Sequence, residues 1–201
     1  MSARISAPRQ FGDQAFGNSK AWLLLAASFL MSLPPQAAAT QSQSFAVTSP
    51  GLADGARLTR RNAARARDCG GEDISPALAW SHGPNGTSSY AIITYDVDGG
   101  KGLGSVHWVA YDIAPSILKL GEGAGSAPAG LFVAGTNSRG TRVYSGPCPP
   151  AGDRPHHYAF GVYALDLKPG MLPPGLTRDA FLQAVRAHVL AASSIVLRYS
   201  R

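Results

Sequence analysis

The chain has 201 residues, 45% hydrophobic and 15% charged, with 23 Gly, 15 Pro and a net charge of +6. That composition excludes a disordered chain and argues against a helical bundle, and the length suits one domain once a leader is set aside. Arg57, Arg60, Arg61, Arg65 and Arg67 form the one basic cluster. It has no interleaved aromatics and no accompanying motif, so it reads as a solvated loop face and no nucleic-acid partner is expected.

Residues 1–39 read as a signal peptide. Arg4, Arg9 and Lys20 precede the uncharged run 21–33, Pro34-Pro35 ends it, and Ala37-Ala38-Ala39 supplies small residues for cleavage. The run is too short to span a bilayer, which needs roughly 20 residues. An uncleaved anchor is the alternative. Residues 40–201 are then a single domain, periplasmic or secreted, with no stable membrane span after processing. Without Arg4, Arg9, Lys20 and Asp13 the net charge falls to +4. Export also bears on Cys69 and Cys148. In an oxidising compartment an isolated pair predicts a disulfide, and two cysteines cannot complete a four-ligand structural zinc site.

Residues 44–48 offer a first strand, and 51–68 are basic and irregular. Residues 88–95 are rich in β-branched and aromatic side chains and apolar on both faces, as a strand covered on both sides requires. Residues 106–113 and 157–165 repeat that signature, and Gly83-Pro84-Asn85-Gly86 marks one of the turns between runs. A Gly/Ala-rich connection without a period occupies 121–136. Thr177 can cap one helix, with Asp179 in its first turn and Leu182, Val185, Val189 and Ala192 on one face, ending near Ala192. A closing strand follows at 195–199. The predicted class is mainly β (α+β): an antiparallel β-sandwich with a peripheral C-terminal helix.

The side chains able to build a polar pocket fall in four stretches: Asp96-Val97-Asp98, His107-Trp108, Gly146-Pro147-Cys148-Pro149-Pro150 and His156-His157-Tyr158. On a strand, residues two apart share a face, so His156 and Tyr158 point one way and His157 the other. By the same rule Asp96 and Asp98 share a face if their strand extends that far. His107 then lies opposite Trp108, which packs into the core. Histidine donors and a tyrosine hydroxyl bind phosphate or carboxylate oxygens, and a carboxylate beside a histidine raises its pKa. Gly146-Pro147 makes a stiff wall with a backbone amide at Gly146. Singly, these residues have plainer readings: Asp96 and Asp98 as turn formers, His107 as a core histidine, 147–150 as a rigid loop. His188 is read as structural. Together they suit a small anion site better than a catalytic triad. No Gly-x-Ser-x-Gly, His-Glu-x-x-His or phosphate-binding glycine loop occurs, so no catalytic residue, metal ligand or cofactor is assigned.

The order of these stretches resembles the phosphatidylethanolamine-binding protein family, specifically its bacterial Raf-kinase-inhibitor-like branch. Gly71-Glu72-Asp73-Ile74-Ser75-Pro76, with Leu78 and Trp80 downstream, resembles the family's Gly-x-Asn-x-Ser-Pro segment. Asp96 and Asp98 fall on the aspartates of its Asp-Pro-Asp-Ala-Pro motif, His107-Trp108 on its His-Trp pair, and His156-His157-Tyr158 on its His-Arg-Tyr. Tyr111-Asp112-Ile113-Ala114-Pro115, the loop residues Asn137, Gly140, Tyr144, Gly146 and Pro147, and Tyr163-Ala164-Leu165-Asp166 extend the likeness over 44–201. Val97 and Gly99-Gly100 depart from the aspartate motif, and Asp73 stands where the pattern has Asn.

The resemblance implies a cavity for phosphate-bearing headgroups lined by Asp96, His107, Gly146, Pro147, His156 and Tyr158, with Asp98 and Trp108 adjacent. A Cys69–Cys148 bond would fix its wall. The function implied is exported, non-catalytic binding of a small anionic ligand such as a phospholipid headgroup. Two rivals remain open. One is inhibition of a protease or other protein partner through 121–136. The other is a metal-dependent hydrolase using Asp96, Asp98, His107 and His156.

Overall fold

In the computed structural model, which describes residues 44–127 and 129–201, the sandwich is built from β1 (Val47–Thr48), β2 (Leu78–Trp80), β3 (Ser89–Asp96), β4 (Ser105–Ile113), β5 (Lys119–Leu120), β6 (Val133–Ala134), β7 (His156–Leu165) and β8 (Val189–Tyr199). All strand pairs are antiparallel. One sheet has the order β1-β2-β5, the other β6-β4-β3-β7-β8. The predicted leader, 1–39, lies outside the described residues.

The apolar run of β3 explains its place at the centre of the larger sheet. Tyr90 and Ile92 face a core shared with Leu78, Trp80 and Leu120 of the smaller sheet, and Trp108, Phe160 and Leu197 join them. Ala91 and Ile93 face the other way, against Val109, Tyr111, Phe181 and Val185. Phe181 and Val185 belong to the helix Arg178–Val185, and the Phe181 ring stacks on Tyr111 at 5.5 Å. A strand with both faces covered needs no polar alternation, which is why its sequence shows none.

The helix starts as its sequence predicts, with the Thr177 hydroxyl accepting from the Ala180 amide. It stops at Val185, not near Ala192. Residues 189–199 instead pair with β7, from Leu165↔Val189 to His156↔Tyr199. The spacing of Leu182, Val185, Val189 and Ala192 fits a helical face, but a ladder along the whole of β7, broken by one register shift between Ala164 and Leu165, outweighs the helix propensity of alanine. His188 closes the turn between them, its Nδ1 paired with Asp166 at 2.7 Å.

Most of the predicted basic face is tied into the fold. Arg57 bonds Ser200, Arg60 the Gly70 carbonyl and Arg65 the Glu72 carbonyl, while Arg61 lies 3.7 Å from both Glu72 and Glu122.

Candidate functional site

β3 and β7 run in register from Ser89↔Leu165 to Asp96↔Tyr158. Asp96 therefore ends its strand beside Tyr158, and His156 shares that face two residues earlier. Asp96, His156 and Tyr158 are buried, while His157 is exposed. His107 arrives by a different route. Thr94 pairs with Trp108 but Tyr95 pairs with Val106, leaving His107 as the extra residue of a β-bulge. A bulge re-aims a side chain that alternation would send elsewhere. His107 consequently does not lie opposite Trp108 across the sheet. Its ring meets Tyr158 edge-on, centroids 5.2 Å apart. Trp108 packs in the core against Phe132 and Tyr144, as expected.

The centre of the site is the Asp96 carboxylate. Its Oδ2 accepts from His156 Nδ1 at 2.8 Å and lies 4.0 Å from His107 Nε2. Its Oδ1 accepts from the amides of Asp98 and Gly99, both at 3.0 Å. His107 Nδ1 is 2.6 Å from the Ser145 carbonyl, which can only accept, so that nitrogen carries a proton and Nε2 faces the site. The Tyr158 hydroxyl is buried and makes no hydrogen bond of good geometry, while burial and the neighbouring Asp96 carboxylate push its pKa up.

The two histidines are tuned in opposite directions. Burial pulls the His107 pKa below 6.5 and outweighs the Ser145 carbonyl and Asp96, which favour its charge. Burial acts the same way on His156, but the hydrogen bond and charge of Asp96, helped by Asp98 and Asp153, raise its pKa above 6.5. His156 therefore holds its proton to a higher pH than His107 does.

Two further expectations are corrected. Asp98 does not share a face with Asp96, because β3 ends at Asp96. Its Oδ2 instead accepts from the backbone amide of His157 at 2.7 Å and from His157 Nδ1 at 2.9 Å. Burial would raise its pKa, but those bonds lower it further. The Gly146 amide is not available to a ligand either: it donates to Asp73 Oδ1 at 2.8 Å. Asp73 Oδ2 accepts a second amide, that of Arg65, at 3.0 Å. An Asn at 73 offers only one accepting oxygen, so the departure from the family pattern has a local use. Pro147 is buried, and its carbonyl accepts from the Ala64 amide. The 145–147 loop thus backs the site through Ser145, whose carbonyl holds His107.

That wall tolerates no extra atom. A Cβ on Gly146 would sit 2.3 Å from the Asn62 carbonyl oxygen and 2.5 Å from the Ala64 nitrogen, both backbone. Gly146→Ala is therefore expected to destabilise the fold by roughly 1–3 kcal/mol, measured by urea unfolding. No loss would mean that segment 62–64 yields freely.

Sequence reasoning missed Asp153, Arg154 and Pro155 of the rim. A cavity of about 210 Å³ opens beside His156, lined by Asp98, Asp153, Arg154, Pro155 and His156. Asp153 Oδ2 stands 3.6 Å from His156 Nε2. The available signal was the charged pair Asp153-Arg154 immediately before the site strand. Among the described residues, no group of three His, Cys, Asp or Glu side chains is placed to hold a metal ion. Cys69 and Cys148 form a disulfide, Cα atoms 5.5 Å apart.

An antiparallel sandwich with a carboxylate–histidine cluster at its strand ends is an architecture that known proteins share. The sequence profile of the phosphatidylethanolamine-binding protein family matches residues 48–200. The chain belongs to that family. YbcL of Escherichia coli K12, a UPF0098 protein, is 39% identical over 130 residues, which is 62% of this chain and 70% of YbcL. LppC of Mycobacterium tuberculosis, provisionally named a lipoprotein, is 38% identical over 159 residues, 77% of this chain and 70% of LppC. The crystal structure of YbcL superposes with a TM-score of 0.73 at 32% identity, covering 79% of this chain and 99% of that one.

Proposed function

We propose that this protein is an exported, non-catalytic binder of phosphate-bearing headgroups, phosphatidylethanolamine-like in chemistry. The observation that carries the reading is the pair of imidazoles converging on buried Asp96 beside the partnerless Tyr158 hydroxyl. A phosphodiester oxygen supplies the acceptor that Tyr158 lacks and takes a charge-assisted bond from protonated His156, with His107 Nε2 becoming a second donor only where the pH is low enough to protonate that ring. Arg154 at the rim adds a cation for the phosphate. Asp98 and Asp153 flank the same cavity and suit the ammonium of an ethanolamine. Calorimetric titration with glycerophosphoethanolamine is the test, and absence of saturable heat at millimolar ligand would overturn the proposal.

The rival inhibitory loop fares less well. Within 121–136, the Gly123 amide bonds the Ser75 carbonyl, the Gly125 amide bonds the Ser75 hydroxyl, and Ser126 bridges Asp73 and Ser75. These contacts hold 123–126 against the sandwich.

Export rests on the basic front, the apolar run 21–33 and the Ala37-Ala38-Ala39 end. N-terminal sequencing of protein recovered from the host envelope should begin near Thr40. Full-length chain in the membrane fraction would instead establish an anchor.

A further inference from the structure

The segment 97–104, Val-Asp-Gly-Gly-Lys-Gly-Leu-Gly, is where this chain departs from its family's aspartate–proline pattern. It forms one tight turn. The Gly104 amide bonds the Gly99 carbonyl at 2.8 Å, and the Tyr95 hydroxyl bonds the Leu103 carbonyl at 3.0 Å. Gly100 and Lys101 are left-handed, at φ 57° and 60°. For a lysine that conformation costs roughly 1–2 kcal/mol, and such strain persists where the surrounding structure imposes it, often at ligand clamps. The turn puts apolar groups into solvent. Leu103 is 87% exposed, the largest exposure among the large apolar side chains described, and Val97 is 48% exposed.

The turn is mounted on the headgroup site. Its Asp98 and Gly99 amides hang on Asp96 Oδ1, while His156 hangs on Oδ2 of the same carboxylate. Asp98 also lines the cavity beside His156. Charge points the same way. The rim carboxylates face histidines, Asp98 at His157 and Asp153 at His156. Lys101 on the turn and Arg154 on the rim are exposed and make no salt bridge among the described residues, and Arg154 lines the same cavity as the turn's Asp98.

We infer that the 97–104 turn is a membrane-docking element: Leu103 and Val97 enter the acyl boundary of a phospholipid bilayer, and Lys101 and Arg154 meet lipid phosphates. The cavity at His156 would then open toward lipid headgroups still seated in the membrane. Interfacial binding strengthens with buried apolar area and with attraction of cations to anionic lipid, and the turn supplies both in Leu103 and Lys101. This rests on the headgroup reading above, and soluble ligand separates the two.

The test attaches a bimane fluorophore to Leu103→Cys in the full chain with its disulfide intact, and to Met171→Cys as control. Met171 is 67% exposed in a different loop. The vesicles contain phosphatidylethanolamine with a minority of phosphatidylglycerol and bromine on the acyl chains. Quenching at 103 and not at 171 is expected, whatever the N terminus adds to overall binding. Leu103→Asp should weaken quenching of a label at Val97→Cys roughly tenfold in lipid concentration, since it removes one buried leucine. Binding of soluble glycerophosphoethanolamine should stay unchanged. Equal quenching at 103 and 171, or none at 103, overturns the docking turn even if the soluble headgroup still binds. Loss of soluble binding in the unmodified chain overturns the reading beneath it.

Discussion

At a pH low enough to protonate both rings, His156→Ala and His107→Ala are each expected to weaken glycerophosphoethanolamine binding ten- to a hundredfold, and His157→Ala less than threefold. Deleting one charge-assisted donor costs about 1.5–3 kcal/mol, and 1.4 kcal/mol is tenfold in Kd. His156→Ala should be the worse of the first two. It removes the partner of Asp96 Oδ2, leaving a buried carboxylate that repels the phosphate. His157 faces solvent and pairs with Asp98, so its loss leaves Asp96 and Tyr158 untouched. Unfolding curves for the three variants separate lost binding from lost fold. Equal losses in all three, or in none, would show that the pocket lies elsewhere.

The pH dependence follows from the opposite tuning of the two histidines. A phosphodiester keeps one charge throughout, so the titration belongs to the protein, whereas a phosphomonoester would itself titrate near ~6. Affinity should fall as pH rises, in two steps. The first, below 6.5, reports His107 losing its proton, and the second, above 6.5, reports His156. Stability linkage has matching signs. The His156 pKa is raised by folding, so its contribution is fully present below 6.5 and is lost as pH rises through the folded value. The His107 pKa is depressed, so its contribution is present above 6.5 and is lost as pH falls through the folded value. In His156→Ala the upper step should vanish and the lower one remain. A single step unchanged by either substitution would contradict the assignment.

What the sequence made legible was local. The apolar faces of β3 announce a doubly covered strand, and two-residue alternation separates His156 and Tyr158 from His157 without any partner being known. What it hid depends on pairing between distant segments. His107 turns toward Tyr158 only because β4 slips one residue against β3 at Tyr95, and no pattern within 105–113 reveals that slip. The Gly146 amide looked free because its acceptor, Asp73, lies 73 residues earlier. The helix end was ambiguous because residues 182–192 satisfy a helical period, whereas β7 decides which of them form a strand.

Breaking the Cys69–Cys148 bond should produce the largest loss of stability. The cysteines are 79 residues apart, and in the chain-entropy model releasing such a loop costs roughly 4 kcal/mol, about 10–15 °C in Tm for a domain of this size. The folded state should keep its local shape, because Arg201 bridges the same two segments. Its guanidinium donates to the Asp68 carbonyl beside Cys69 and to the Pro149 carbonyl beside Cys148. The effect then resides mainly in the unfolded chain, and Cys69→Ser, Cys148→Ser and the double variant should lose nearly the same amount. A loss under about 1 kcal/mol in all three would refute the entropic account. The folded state is not wholly indifferent, however. Cys148 lies three residues beyond Ser145, whose carbonyl orients His107, and on the segment whose Gly146 is pinned by Asp73. Headgroup affinity should therefore drop several-fold in Cys148→Ser well below its melting temperature. Arg201→Ala combined with Cys148→Ser removes both bridges at once and should lose far more affinity than either change alone. Simple additivity would mean that the wall is held by Asp73 and Ala64 without help from either bridge.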